Sequence, residues 1–177
     1  VCGGPASLPA IDRALELCAA ARRPVLLAGH GIIASGTARG LVALAERLDA
    51  PVASTLLGLG GFPASHPLAL GMMGMHGSVA ANRAIQSADL VVALGMRFDD
   101  RVTGRRDAFA PRAHKIHVDI DPGELGRSIA VDVAIAGDLA DVLGEMARRA
   151  PRGRRESWRI AIAGWRRESE RRDIVAG

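Results

Sequence analysis

The sequence predicts a doubly wound α/β fold, in which helices cover both faces of a mainly parallel sheet of five or six strands. Two apolar runs, PVLLAG at 24–29 and Leu90 to Leu94 within the predicted strand 89–95, lack the polar alternation of a half-exposed strand and are typical of strands covered on both faces. Helical patterns alternate with strand patterns, and most connections are short. The 177 residues suffice for one domain with its own core. Together these features are typical of a Rossmann-like architecture.

The first half of the chain contains three predicted helices and three predicted strands. The first helix is expected at residues 7–22, because Ser7 can cap it and apolar residues recur at helical spacing from Ile11 to Cys18. Pro24 and Pro51 each begin a strand, since the residue before a proline is disfavoured in the helical conformation. The same patterns place the other elements: helices at 37–49 and 78–87, and strands at 24–29, 51–55 and 89–95. Residues 29–36 and 56–77 are predicted to be loops, the second one long and rich in glycine and proline.

The second half predicts two more strands, a helix and an irregular tail. Residues 115–120 and 131–135 alternate apolar and polar side chains, which places these strands nearer an edge of the sheet than the two apolar runs. Asp121 and Pro122 start a short helical turn between them. Asp138 can cap a last helix whose apolar face runs from Leu139 to Met146. Residues 151–177 have no strand pattern and are interpreted as a basic linker along a surface, which divides the chain into residues 1–150 and 151–177.

The positive charge of the chain is local. From residue 148 onward there are ten arginines and four acidic residues, so the formal charge of +4 comes from the tail. Only 3% of the residues are aromatic, which argues against a nucleic-acid partner. No apolar stretch approaches the roughly 20 residues of a membrane span, so no membrane partner is expected. Cys2 and Cys18 have no redox or metal-site spacing and are expected to be reduced thiols of a cytoplasmic protein.

The residues GHGIIA at 29–34 match the G-x-G-x-x-G/A pattern of dinucleotide-binding turns, between a predicted strand and a predicted helix. A standard NAD site also needs an acidic residue at the end of the second strand. This chain has Ser54 and Thr55 there, and Asp49 lies before the strand, which counts against NAD. Contact of the turn with a phosphate or ribose is one interpretation. Glycines that simply permit a tight turn are the other.

Glycine, methionine and aspartate residues follow the other predicted strands. Glycines at 58–61 and 71–77 would let the backbone approach a ligand closely, and the methionines at 72–75 are interpreted as an apolar ligand surface. Asp119 is a candidate for binding a ribose hydroxyl, whereas Asp138 is equally a helix cap. The histidines lack the spacing of a metal motif, so no metal site is predicted. No G-x-S-x-G motif of a hydrolase occurs.

Five segments resemble the middle domain of acetolactate synthase (acetohydroxyacid synthase) catalytic subunits: TLLGLGGFP (55–63), HPLALGMMGMHG (66–77), ADLVVALGMRFDDRVTG (88–104), DAFAP (107–111) and KIHVDIDPGEL (115–125). The resemblance extends to the tail, where Trp158 and Trp165 form a W-x6-W pair. The combination of GMMGMHG with RFDDRVTG is far more specific than a glycine-rich turn. It separates this family from other thiamine-diphosphate enzymes.

The resemblance implies an FAD-binding domain in which the flavin performs no net redox chemistry. Carried onto the matching positions, it implies cofactor contacts at these residues: Gly29, His30, Gly31, Thr55, Leu56, Leu57, Met73, Gly74, Met75, His76, Gly95, Met96, Arg97, Phe98, Asp99, Asp119, Ile120, Gly137 and Asp138. Asp100 and Arg101 match positions near the substrate channel and the herbicide site. No catalytic residue is assigned to this chain.

Members of the family join two 2-ketoacids with loss of CO2, using thiamine diphosphate and Mg2+ held by other domains. The only GD pair of this chain, Gly137-Asp138, is followed by Leu139 and has no downstream asparagine, unlike a GDG-type metal motif. We therefore expect a middle domain that is inactive alone. The resemblance implies as partners the N- and C-terminal domains of the same enzyme, a homo-oligomeric parent and a small regulatory subunit. A scaffold that binds ADP or no nucleotide, and a free-standing NAD-binding protein, are the alternatives.

Overall fold

The computed structural model describes residues 7–175, with side chains up to residue 168, and these residues form a six-stranded parallel sheet. The strand order is β3-β2-β1-β4-β5-β6, the order of dinucleotide-binding sheets built from two mononucleotide-binding halves. The strands have these bounds: β1 Pro24–Ala28, β2 Val52–Ser54, β3 Ala69–Met72, β4 Leu90–Leu94, β5 His114–Asp119 and β6 Val133–Ala136. All five pairings are parallel. Cys2 lies outside the described residues.

The two apolar runs form the centre of the sheet, as predicted. Every residue of β1 and of β4 is buried, and the two strands pair directly with each other, Leu26 opposite Val92. β5 and β6 lie toward one edge, where β6 alternates buried and exposed residues. The sequence pattern therefore ordered these four strands correctly from the centre outward.

Helices cover both faces of the sheet, which confirms the doubly wound architecture. Three helices lie on one face, where their apolar sides join one buried cluster: α1 Leu8–Ala20, α3 Ala38–Leu48 and α6 Leu139–Arg149. Two helices lie on the other: α4 Val79–Ser87 and α7 Glu156–Val175. Ser78 begins α4 by accepting a hydrogen bond from the amide of Ala81 over 3.1 Å, as its cap position predicts.

Two segments predicted to be loops contain regular structure. Residues His30–Ala34 form a single helical turn, α2, and Ala69–Met72 form edge strand β3. The sequence pattern did not predict β3, because Gly71 interrupts its apolar residues. Gly71 has a φ of +78° and lies where the register of β3 shifts against β2. A 3-10 turn at Leu56–Gly58 and the short helix α5, Asp100–Thr103, complete the carboxyl side of the sheet. The residues after Asp121 form hydrogen-bonded turns.

The tail forms a helix where the sequence predicted none. In α7, Trp158 and Ile162 are 4% exposed and belong to the same buried cluster as α4. The indole of Trp158 donates to the carbonyl of Pro24 over 3.1 Å and packs edge-on against Trp165. Positions 158, 162 and 165 share one helical face. Arg159 is the one arginine between these positions; the arginines before and after this segment gave the tail the basic character on which the linker interpretation was based.

Arg155 attaches the start of α7 to the ends of two helices on the opposite face. Its guanidinium donates to the carbonyl of Cys18 over 2.9 Å and to that of Ala21 over 3.2 Å, at the end of α1. It also donates to the carbonyl of Leu48, at the end of α3. These carbonyls have no partner within their own helices, and the positive charge suits the negative ends of the helix dipoles. Burial raises the pKa of the Cys18 thiol to about 12, against the opposing charge of Arg155, so this free thiol is inert.

Candidate functional site

The predicted cofactor residues all follow the carboxyl ends of the strands. Because the sheet is parallel, these ends lie along one edge, which we call the carboxyl edge. The predicted residues follow β1 (29–31), β2 (55–57), β3 (73–76), β4 (95–99), β5 (119–120) and β6 (137–138). The order of the strands reverses between β1 and β4, so a crevice for a ligand is expected at that position. The structure thus brings the predicted positions to one edge, and their role as cofactor contacts stays a prediction.

The glycine turn after β1 packs directly on Leu94 and Gly95, at the end of β4. The amide of Gly29 donates to the carbonyl of Leu94 over 3.0 Å, and that of Gly31 to the carbonyl of Gly95 over 2.9 Å. A Cβ on Gly29 would lie 2.1 Å from the carbonyl oxygen of Gly95. Close backbone packing therefore accounts for both glycines of the turn, and these two amides are already engaged. The His30 ring is exposed, with Nδ1 3.4 Å from the carbonyl oxygen of Leu57.

The segment after β2 presents apolar side chains to solvent. The Thr55 hydroxyl accepts a hydrogen bond from the amide of Gly58 over 3.1 Å and thereby fixes the 3-10 turn. Leu56 and Leu57 within this turn are 69% and 66% exposed. Two further apolar side chains at the same edge, Met75 after β3 and Ile120 after β5, are also exposed. Exposed apolar side chains concentrated at a ligand-binding edge are typical of a binding surface.

Hydrogen bonds from Asn82 of α4 and from its cap residue Ser78 fix β3 and the loop that follows it. Asn82 bonds both backbone groups of Gly74, and Ser78 donates from its hydroxyl to the carbonyl of Leu70 over 3.2 Å. Met73 is buried in the core and Met75 points to solvent. The methionines therefore divide between core packing and the surface, whereas the sequence interpretation assigned them one common role.

The segment after β4 is charged and borders an open cleft. Asp99 caps α5 by accepting from the amide of Val102 over 3.1 Å, and Asp100 pairs with Arg106 over 2.9 Å. Arg97 and Arg101 are exposed and make no ion pair with any described residue. The cleft has a volume of about 530 Å3 and is lined by Arg97, Phe98, Asp99, Asp100, Arg101, Arg106, Glu124, Arg127 and Ser128.

The acidic residues after β5 and β6 are partly used in local structure. Asp119 accepts from the amide of Asp121 over 2.9 Å through Oδ1, and its Oδ2 makes no hydrogen bond with another described residue. Asp138 caps α6 by accepting from the amide of Ala140 over 2.7 Å. The cap interpretation of Asp138 is thus confirmed. Asp121 caps a turn by accepting from the amide of Gly123.

His117 lies beneath the β4 segment and was missed by the sequence patterns. It is 1% exposed, and its Nε2 donates to the carbonyl of Met96 over 2.8 Å. Nδ1 is buried and has no hydrogen-bond partner among the described residues. Burial lowers the pKa of this histidine, although the Met96 carbonyl and the charges of Asp119 and Glu124 oppose the shift. The alternating pattern of β5 placed His117 on a polar face, whereas the ring of Phe98 packs edge-on against it there, with 5.0 Å between the ring centroids.

Asn82 is the other contributor that sequence patterns did not reveal. It is a half-buried polar side chain on α4, next to the buried Ala81. An inward-facing amide near a glycine-rich loop is the signal that could have found it. Among the described residues, no group of three or more histidine, cysteine, aspartate or glutamate side chains could hold a metal ion. Nor does any described helix combine the length and apolar character needed to cross a membrane.

Comparisons with known proteins agree with this geometry. Residues 11–146 match a family model described as the thiamine pyrophosphate enzyme, central domain. The chain is 51% identical over 136 residues to a probable acetolactate synthase large subunit of Methanocaldococcus jannaschii, covering 77% of this chain and 23% of that protein. An acetolactate synthase of Mycobacterium bovis is 52% identical over 136 residues, covering 77% and 22%. The acetolactate synthase large subunit of Parasynechococcus marenigrum is 44% identical over 161 residues, covering 89% and 26%.

The chain thus spans about a quarter of the length of the curated relatives it matches. The family match covers all six strands of the described sheet. The chain therefore belongs to the central-domain family of thiamine pyrophosphate enzymes, and within that family it is similar to the acetolactate synthases.

Proposed function

We propose that this chain binds FAD along the carboxyl edge, as the middle domain of an acetolactate synthase. One observation carries the proposal: the edge combines exposed apolar side chains with exposed arginines that have no ion-pair partner among the described residues. FAD needs both, because its ring system is flat and largely apolar and its diphosphate is anionic. Arginine suits phosphate oxygens through paired hydrogen bonds.

The chemistry of the individual groups supports this assignment. Leu56, Leu57 and Met75 provide an apolar surface for the ring system. Arg97 is exposed and follows Gly95, at the end of β4, by two residues, and it is assigned to the diphosphate. The free oxygen of Asp119 is suited to a ribose hydroxyl. The amides of Gly29 and Gly31 already donate to the backbone of the β4 segment. The glycine turn is therefore assigned to close approach between backbone and ligand, and not to hydrogen bonds from these two amides.

In the proposed parent enzyme, the flavin has a structural role. The parent joins pyruvate to a second pyruvate or to 2-ketobutyrate with loss of CO2, in branched-chain amino acid biosynthesis. Thiamine diphosphate with Mg2+ supplies that chemistry and is held by N- and C-terminal domains of the same enzyme. Residues 151–177 lead toward the C-terminal domain, and Asp100 and Arg101 border the substrate channel. We place the parent in the cytoplasm as a homo-oligomer with a small regulatory subunit.

A titration of the chain with FAD, followed by flavin fluorescence, tests the proposal. We expect saturable quenching that ADP and NAD reverse only at higher concentrations than FAD itself. Equal competition by ADP would indicate an adenine-nucleotide scaffold, and stronger competition by NAD would indicate a dinucleotide enzyme. Leu57→Ser is expected to weaken FAD binding. Ile160→Ser is the matched control, because Ile160 is similarly exposed, at 61%, but lies on α7.

A further inference from the structure

Asn82 holds the loop after β3 through both polar atoms of its side chain. Oδ1 accepts from the amide of Gly74 over 3.0 Å, and Nδ2 donates to the carbonyl of the same residue over 2.9 Å. Only a primary amide presents a donor and an acceptor side by side in this way. The pair reproduces the two-bond pairing of neighbouring antiparallel strands. Both backbone groups of Gly74 are thereby fixed to α4.

The same loop is joined to the segment after β4. The amide of Met75 donates to the carbonyl of Arg101 over 3.0 Å. A Cβ on Gly74, where φ is +94°, would lie 2.5 Å from that carbonyl oxygen. The loop Met73–His76 and the helix α5 therefore share a line of backbone contacts that leaves no room for a side chain. We call this line of contacts the loop seam.

The loop seam connects the two segments to which different roles are assigned. Residues 73–76 belong to the proposed flavin surface, and Arg101 borders the proposed substrate channel. Asp99 caps the start of α5 by accepting a hydrogen bond from the amide of Val102. Asn82 thus anchors the Gly74 side of the seam to a core helix, since α4 itself is packed in the buried cluster through Ala81 and Ile85.

We propose that Asn82 is a positioning residue, which fixes the loop seam so that the flavin surface and the Arg101 segment keep one relative placement. The inference rests on the proposed FAD site and goes beyond it, because it assigns the geometry of that site to a side chain outside the edge. Loss of the amide would leave both backbone groups of Gly74 without their partners. The loop would then sample other conformations, and a fraction of the chains would no longer present the flavin surface.

Three variants separate this role from general stability. Asn82→Leu removes both hydrogen bonds. Asn82→Asp keeps the acceptor for the Gly74 amide but sets a carboxylate oxygen against the Gly74 carbonyl. Gln86→Leu is the matched control: Gln86 lies one turn further along α4 and bonds the amide of Ala110 over 3.3 Å. This variant loses a side-chain bond from the same helix to a backbone group, and that group is not part of the loop seam.

Each variant is measured for FAD affinity, for unfolding in denaturant and for hydrogen exchange of the Met75 amide. We expect both Asn82 variants to bind FAD about tenfold more weakly or worse, since Asn82→Leu loses both hydrogen bonds and Asn82→Asp replaces one of them with a repulsion between two oxygen atoms. The Met75 amide should exchange faster by a similar factor. Gln86→Leu, which loses one hydrogen bond from the same helix, should keep FAD affinity within about twofold.

Two results would overturn the inference. One is FAD affinity in Asn82→Leu within about twofold of the unsubstituted chain, and the other is an equal loss in Gln86→Leu. If the unsubstituted chain binds no FAD, the proposed function fails separately. The exchange of the Met75 amide then decides the inference by itself: unchanged exchange in Asn82→Leu contradicts it.

Discussion

The amide of Gly31 donates to the carbonyl of Gly95 over 2.9 Å, and each glycine occupies the space that a Cβ on the other would need. A Cβ on either residue would lie 2.7 Å from the α-carbon of its partner. The contact joins the ends of β1 and β4 where the strand order reverses. The crevice at the centre of the carboxyl edge is therefore shaped by two backbones in direct contact.

Gly31→Ala is expected to lower the free energy of unfolding by about 2 kcal/mol or more, because the added Cβ meets backbone that cannot rotate away. The measurement is denaturant unfolding. Gly144→Ala is the control, since Gly144 lies inside α6 and a Cβ added there would have no neighbouring atom within 4 Å. That substitution should gain roughly 0.5–1 kcal/mol from helix propensity. Equal stabilities of the two variants would contradict the packing account.

The burial of His117 predicts a loss of stability in mild acid. Burial lowers its pKa in the folded chain below the ordinary value of 6.5. Just below pH 6.5, His117 is therefore protonated in the unfolded chain and neutral in the folded chain. The free energy of unfolding therefore falls as the pH drops below 6.5. His117→Gln removes this titration while keeping a donor for the Met96 carbonyl. Unfolding measured between about pH 5 and pH 7 should depend less steeply on pH in the variant; parallel curves would exclude His117 as the cause.

Arg155→Ala is expected to destabilise the fold by about 3 kcal/mol, because three carbonyls, two of them buried and one half-buried, lose their donor at roughly 1 kcal/mol each. Arg154→Ala, one residue earlier and exposed, should change stability by less than about 0.5 kcal/mol. Thermal or denaturant unfolding of both variants measures the difference. If the two were equally stable, α7 would not depend on this attachment.

We propose that other domains of the parent enzyme hold thiamine diphosphate and Mg2+, and we therefore expect this chain alone to form no acetolactate. The carboxylate of Asp138, in the chain's only GD pair, is engaged as the cap of α6 and is not arranged as part of a metal motif. A colour assay for acetoin, after incubation with pyruvate, thiamine diphosphate, Mg2+ and FAD, should therefore give no signal. Product above the level of a protein-free control would refute this proposal.

The sequence alone predicted the strands in which every residue is buried. β1 and β4 are buried on both faces, so their apolar runs identified them and their central position. The alternation of apolar and polar residues in the sequence of β5 and β6 placed both nearer an edge, and the burial of β6 alternates accordingly, whereas three successive residues of β5 are buried. Since all strands are parallel, the residues after them had to meet at one edge. The location of the candidate site therefore followed from the strand assignments.

The missed features depend on contacts between distant segments. Gly71 made β3 resemble a loop, and its pairing with β2 supplies what the local pattern lacks. In α7, Trp158 and Ile162 find their partners on α4 and at the start of β1, which local propensity does not contain. Asn82 is an ordinary helix residue until Gly74, eight positions earlier, folds back onto it. Such roles come from tertiary structure and leave little trace in a single sequence.

Hydrogen exchange of the chain with and without FAD tests the central claim most directly, because it locates the cofactor. The account predicts slower exchange on FAD binding in the loops 55–57, 73–76 and 95–99 at the carboxyl edge. It predicts no change at the opposite edge, where Asp132 pairs with His114 at the start of β5. Protection confined to that opposite edge, or no protection in any of the three loops at saturating FAD, would contradict the account.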